Sequence, residues 1–241
     1  MGRRVSDVSA TAIVVAGGSG ERFGRAGGKQ LLEVAGRPVV AWSIAAMAAV
    51  RQVDRVVVVC PEERSDEFAR ISEQATGAIE WALAPSSVTR QDSVLSGLRA
   101  VDSSCEVVII HDGARPLVRP STVANAILHL VGDPGLDGVV LGHPSVDTIK
   151  LVAGDQIVST PDRATLWAVQ TPQIFRTESL ARAFQAASES GFVGTDDASL
   201  VERNGGRVSV FLAERDNIKV TVPEDAAVAE ALLRLRSEEG Q

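Results

Sequence analysis

Three stretches of the chain gather side chains that can handle phosphate. The first, AGGSGERFGRAGGKQ at residues 16–30, sets repeated glycines (Gly17, Gly18 and Gly20 among them) beside Arg22, Arg25 and Lys29, directly after the apolar run Ala12-Ile13-Val14-Val15. A glycine turn after a strand lets backbone N–H groups approach a phosphate without interference from Cβ. Arg22 and Lys29 add charge-assisted bonds, the strong means of holding a triphosphate, with Arg25 as a third cation. The loop matches neither standard phosphate motif. A dinucleotide fingerprint and a Walker loop both require glycine at 23, and the Walker loop also requires Ser or Thr at 30; the chain has Phe23 and Gln30. A solvated basic surface turn is the plain alternative.

The second stretch, VVIIHDGARPLV at 107–118, runs from a strong apolar segment into His111-Asp112, Gly113 and Arg115. An aspartate at the carboxyl edge of a buried strand stands where Mg²⁺ bridging phosphates takes a carboxylate oxygen. Bracing the following turn, with Arg115 as its ion-pair partner, is the other role open to Asp112. His111, His129 and His143 each lack a companion group and read as structural. The third stretch, DNIKVTVPED at 216–225, places Lys219 between Ile218 and Val220, so the exposed face of a strand explains it as well as a binding role does.

Positioning these residues requires strands that end together. Ala12–Ala16, Arg55–Cys60, Val107–His111 and Gly138–Leu141 read as strands, and Pro38–Val50, Glu62–Gln74, Arg90–Val101 and Ser121–Val131 as helices between them. Continuous runs such as Val56-Val57-Val58-Val59 suit strands covered on both faces, hence a parallel sheet with right-handed crossovers and ligands beyond its carboxyl edge. The fold class is therefore α/β. From 145 to 170 the alternation weakens into two short runs, Thr148–Val152 and Gln156–Ser159, around the turn residues Ala153-Gly154-Asp155. A hairpin of this kind exposes Ile149, Leu151 and Ile157 unless a second subunit covers them. Beyond it, Thr195 is placed to N-cap a helix over Asp196–Asn204, Arg207–Leu212 and Ile218–Val222 read as strands, and Pro223 opens a last helix.

Composition sets outer limits. The 241 residues carry 24 Lys and Arg against 31 Asp and Glu, a net charge of −7, which disfavours nucleic acid and membrane as partners and makes any cationic site local. Cys60 and Cys105 form no metal-ligand spacing or disulfide framework and read as buried free thiols. No apolar run reaches the roughly 18 residues of a membrane span, and the first ten residues lack a signal-peptide core, so the cytoplasm is the expected location.

Taken together, AGGSGERFG…GKQ, RQDSVLSGL, VIIHDGARPLV, DTIK, AVQTPQIF, TDDASLVE and DNIKVTVPED resemble the glycosyltransferase-A-like nucleotidyltransferases, specifically the 2-C-methyl-D-erythritol 4-phosphate cytidylyltransferase family, in order and spacing from Ala12 to the last helix. The resemblance implies one nucleotidyltransferase domain over 1–241, a Rossmann-like, mostly parallel sheet flanked by helices, and a projecting β-arm at 145–170 that makes a homodimer. It implies in-line attack of a polyol phosphate on the α-phosphorus of CTP, aided by Mg²⁺ near Asp112. Arg22 and Lys29 would neutralise the triphosphate, and Ala16, Gly17, Gly18, Gly20, Arg90 and Ser93 would line the nucleotide pocket. Arg115, Thr148, Arg163, Thr171, Thr195, Asp216 and Lys219 would serve the second substrate, with Thr148 and Arg163 reaching a neighbouring subunit's site and Arg163 and Lys219 joining catalysis.

The chain departs from the family pattern at three places. Gly28 replaces a proline before Lys29, Ser86-Ser87 replaces a glycine pair, and Ala16-Gly17-Gly18 stands where Ala-Ala-Gly is more common. Ribitol-5-phosphate cytidylyltransferases share the nucleotide site and arm, but DTIK, HDGARP and Asp216 before NIKVT favour methylerythritol phosphate. A sugar-1-phosphate nucleotidyltransferase and a non-catalytic nucleotide-binding module are the more distant alternatives, the latter opposed by the presence of Arg22, Lys29 and Asp112.

Overall fold

The computed structural model describes residues 8–18 and 29–239. Its centre is a seven-stranded sheet made by β1 (Ala10–Val15), β4 (Val53–Cys60), β5 (Glu80–Pro85), β6 (Val107–Asp112), β7 (Gly138–Pro144), β10 (Trp167–Arg176) and β11 (Val208–Leu212). The strand order is β11-β7-β10-β6-β1-β4-β5, and β2 (Glu33–Val34) and β3 (Arg37–Pro38) pair with each other outside it. The neighbours of β1, the β4–β5 pair and the β7–β11 pair are parallel, and β10 alone runs antiparallel to both its neighbours. The expected mostly parallel sheet is therefore present, with one reversed strand threaded through it.

Both faces are covered, as the unbroken Val and Ile runs require. Ala10, Ala12 and Val14 of β1 pack on one side with α1 (Val39–Ala48), α2 (Ser65–Thr76) and α4 (Pro120–Gly132). Ile13, pointing the other way, joins α3 (Arg90–Arg99), α5 (Thr177–Ser190) and α6 (Asp197–Arg203). The last helix, α7 (Pro223–Glu239), closes a third apolar cluster through Ala229 against Val34, Val39, Leu117 and Val220. Cys60 and Cys105 are buried free thiols, and among the described residues no helix is long and apolar enough to cross a membrane.

Three expectations need correction. Ile218–Val222 is not a strand. The Val220 N–H bonds the Ala114 carbonyl at 2.8 Å, but that partner lies in the turn after β6, and a turn offers no ladder to extend. The residue capping α6 is Asp196, not Thr195: its carboxylate accepts from Ser199 N–H at 2.9 Å while the Ser199 hydroxyl faces the Asp196 N–H, a reciprocal capping box that leaves Thr195 exposed outside the helix. The first strand of the hairpin is shorter than Thr148–Val152: β8 is Leu151–Ala153, paired with β9 (Gln156–Ser159), and its register already shifts between Leu151 and Val152. The connecting turn is Gly154-Asp155, with Gly154 at φ 62°, a left-handed conformation that glycine adopts without strain. Sheet pairing resumes at Trp167, opposite Pro144, so the hairpin projects from between β7 and β10.

Candidate active site

Register brings the site together. Val15, the last residue of β1, lies directly opposite Asp112, the last of β6, and beside Val59 of β4. Beyond these strand ends is a cavity of about 470 Å³ lined by Gly17, Gly18, Gln30, Ser87–Arg90, Ser93, Asp112 and Lys219, among others. Gly17, Gly18, Arg90, Ser93, Asp112 and Lys219 were expected at the site, and the structure gathers all six around one opening.

Asp112 forms its charged floor. The side chain is 10% exposed, and three cations surround it: Lys219 Nζ at 2.8 Å, Arg90 Nε at 3.6 Å and Arg115 Nε at 3.7 Å. Burial alone would raise the carboxyl pKa, but Lys219, Arg90 and Arg115 outweigh it and hold the group well below the usual carboxylate range. Asp112 is therefore an anion at neutral pH. The brace and the binding role proposed for it are compatible, since Arg115 pairs with it from the turn while Lys219 and Arg90 face the cavity.

Arg90 is shared. Its Nη2 bonds Asp197 Oδ2 at 2.8 Å, a fully buried carboxylate at the start of α6. Burial lowers the guanidinium pKa, but Asp197 and then Asp112 raise it above its ordinary value, so the arginine stays charged. The position of Arg90 follows from local sequence: Thr89 caps α3 by accepting from Asp92 N–H, which fixes the first turn at the cavity wall. Ser93, one turn on, accepts from Ser87 N–H at 2.9 Å and donates to the Thr89 carbonyl at 2.9 Å.

Beneath Asp112 lies a directed chain of hydrogen bonds. The Asp112 N–H donates to Thr171 Oγ1 at 3.0 Å, Thr171 Oγ1 faces His111 Nδ1 at 3.3 Å, and His111 Nε2 faces the Arg115 carbonyl at 3.2 Å. A carbonyl only accepts, so the proton sits on Nε2 and Nδ1 accepts from Thr171. Burial lowers the His111 pKa to about 4, which keeps the ring neutral. Thr171, in β10, is itself buried and lies under the floor of the cavity.

Asn217 ties down the segment that carries Lys219. Its buried amide Nδ2 donates to Gln170 Oε1 and to the Thr171 carbonyl, both at 3.0 Å, and its own carbonyl accepts from Arg115 Nη1 at 2.8 Å. Sequence reasoning missed Asp197 and Asn217. Both stand in stretches that carry the family resemblance, TDDASLVE and DNIKVTVPED, each directly after an aspartate, and no periodicity in the sequence marks either as buried.

The other expected residues are more scattered. Ala16 is buried at the end of β1, its N–H on the Val59 carbonyl at 2.8 Å. Thr195 is exposed before α6. Asp216 does not line the cavity; it pairs with Arg236 of α7 at 2.7 Å and Arg119 at 3.5 Å. Thr148 and Arg163 are exposed on the hairpin, where Arg163 Nη1 donates to the Val146 carbonyl at 3.2 Å. Gly20, Arg22, Arg25 and Gly28 lie outside the described residues, as does the Lys29 side chain; the Lys29 backbone opens a short 3-10 turn over Lys29–Leu31.

Comparison with known proteins agrees with the geometry. The family model described as IspD, 2-C-methyl-D-erythritol 4-phosphate cytidylyltransferase, matches residues 10–235. A protein of that name from Caldanaerobacter subterraneus subsp. tengcongensis is 39% identical over 231 residues, covering 94% of this chain and 100% of the relative. Another from Prochlorococcus marinus is 42% identical over 227 residues, covering 93% and 98%. Among solved structures, the 4-diphosphocytidyl-2C-methyl-D-erythritol synthase of Anaerococcus prevotii superposes with a TM-score of 0.83 at 29% identity, covering 94% of this chain and 99% of that one.

Proposed function

The chain belongs to the 2-C-methyl-D-erythritol 4-phosphate cytidylyltransferase family, and on that premise we propose that the cavity over Asp112 is where its reaction takes place. The enzyme transfers a cytidylyl group from CTP to 2-C-methyl-D-erythritol 4-phosphate, giving CDP-methylerythritol and pyrophosphate in isoprenoid precursor synthesis. The observation that carries the site assignment is the convergence of Lys219, Arg90 and Arg115 on one buried carboxylate at the mouth of β1 and β6.

The division of labour follows from charge. In-line phosphoryl chemistry needs little from the protein beyond positioning and stabilisation of developing negative charge. The backbone of Gly17 and Gly18 and the wall Ser87–Arg90 hold the base and ribose. Arg22 and Lys29 neutralise the triphosphate from the glycine loop. Lys219 is the movable cation: its ammonium is partly exposed, rests on Asp112 in the free protein, and is free to turn to the phosphate of the incoming acceptor. Thr195 adds a hydrogen bond to that acceptor, Asp216 anchors the Lys219 segment to α7, and Arg115 holds Asp112 in place while Lys219 is away.

Asp112 fits Mg²⁺. Its Oδ1 lies 3.6 Å from Arg90 Nε, beyond hydrogen-bond distance, which leaves that oxygen able to serve an ion held mainly by phosphates, as Mg²⁺ ordinarily is. No cluster of three acidic, His or Cys side chains exists among the described residues to form a cage without phosphates. When bound, the ion would neutralise phosphate charge beside the carboxylate.

Completion of the site by a second subunit accounts for the hairpin. Leu151, Val152, Ile157 and Val158 are each more than half exposed there, and Thr148 and Arg163 stand on the same projection. A homodimer that buries these apolar residues would bring the two polar ones to a neighbouring cavity. The buried free thiols Cys60 and Cys105 suit the reducing cytoplasm.

Steady-state kinetics of Lys219→Ala test the assignment. We expect kcat/KM for methylerythritol phosphate to fall about 10²- to 10³-fold, with a much smaller change in KM for CTP. A variant with parental kcat/KM would remove Lys219 from the reaction.

A further inference from the structure

Gly17 does not have a backbone that demands glycine. It is absent from the positions of positive φ, so any residue could adopt its conformation. What excludes a side chain is one neighbour. A Cβ at 17 would lie 2.1 Å from Ser86 Cβ and 2.7 Å from Ser86 Oγ, where unbonded carbons normally stand about 3.5–4.0 Å apart. The closest atom is a Cβ, whose place is set by the backbone, so no Ser86 rotamer relieves the clash.

Neither segment is free to withdraw. Ala16 N–H is bonded to the Val59 carbonyl and Ser86 N–H to the Cys60 carbonyl, each at 2.8 Å, so both are fastened to the last two residues of β4. Ser86 in turn immediately precedes the cavity wall, Ser87–Arg90. Ser87, next to it, is held by Ser93 Oγ, which also holds Thr89, the cap that fixes Arg90 against Asp112 and Asp197. Pressure at Ser86 therefore reaches the cavity through Ser87–Arg90.

We infer that Gly17 and Ser86 are a size-matched pair in which Ser86, outside the cavity lining, acts as a positioning residue that sets the Ser87–Arg90 wall against the Ala16–Gly18 backbone. The inference rests on the cavity being the CTP site. It joins two departures from the family pattern, Gly17 and Ser86, into a single compensated change: the serine takes the space that a methyl group at 17 would fill. Which side chains are tolerated at 17 then depends on what stands at 86.

The test is a double-mutant cycle of Gly17→Ala, Ser86→Gly and the two combined, read by KM for CTP against kcat and by thermal unfolding without nucleotide. Gly17→Ala is expected to raise KM for CTP about tenfold or more, with a smaller change in kcat, and to lower Tm. Adding Ser86→Gly should return both readouts most of the way to parental values. A double variant as impaired as Gly17→Ala, or a Gly17→Ala protein with parental KM and Tm, overturns the pairing. If Gly17→Ala is insoluble, a soluble double variant that turns over CTP supports the pairing and an insoluble one refutes it. A parent protein that does not use CTP would sink the site reading instead, and the cycle in Tm would still decide the size match.

Discussion

At Asp112 the cost of burying a carboxylate is offset by cations from three directions, so the group is both fixed and charged. His111 contributes less visibly. It is a neutral ring whose two nitrogens connect Thr171 to the Arg115 carbonyl, and Thr171 in turn receives the Asp112 N–H. Replacing His111 by Leu would leave the Thr171 O–H without its acceptor and the Arg115 carbonyl without its ring donor, at a cost of about 1–3 kcal/mol for a buried polar group. We expect a lower urea midpoint at pH 7 together with reduced kcat in the folded variant; parental values for both would show that the chain of bonds does nothing for Asp112. Asp112 was legible from its place at the carboxyl end of an apolar run, while Arg90, Ser93 and Lys219 came into view through the family resemblance. Asp197 and Asn217 were not, since what makes them important is burial against Arg90, 107 positions away, and against Gln170 and Thr171.

At the scale of elements, legibility followed hydrophobic patterning. The Val and Ile runs of β1, β4, β6 and β7 announced buried strands, and their helices stood close to where periodicity put them. Ile218–Val222 has the composition of a strand but packs Val220 into the α7 cluster and finds no strand partner, so tertiary context overrode propensity. β5, with the sequence EWALAP, lacks a β-branched run and gave no comparable signal. The hairpin was legible from two short apolar runs around a glycine turn, and an isolated hairpin of this kind is only marginally stable on its own. Its exposed Leu151 and Ile157 lead to a direct expectation. Leu151→Asp/Ile157→Asp should be monomeric in sedimentation velocity and should lose most of its activity, since Thr148 and Arg163 would no longer reach a neighbouring site. A dimeric double variant, or a fully active monomer, would contradict the role assigned to the arm.

For the molecule as a whole, a net charge of −7 is combined with a site where cations are concentrated. Local arrangement, not overall charge, therefore determines how an anionic nucleotide is received. The arrangement follows from topology: parallel β1 and β6 end in register, β10 returns between β6 and β7 to put Thr171 beneath the floor, and the segment before α7 brings Lys219 across the top. The most direct test is pyrophosphate release with CTP and Mg²⁺, offering methylerythritol 4-phosphate and ribitol 5-phosphate in parallel, with Asp112→Asn as control. Release with methylerythritol phosphate, little with ribitol phosphate and a loss of about 10²-fold or more in the control is the predicted result. Preference for ribitol phosphate, or an Asp112→Asn enzyme as active as the parent, would contradict it.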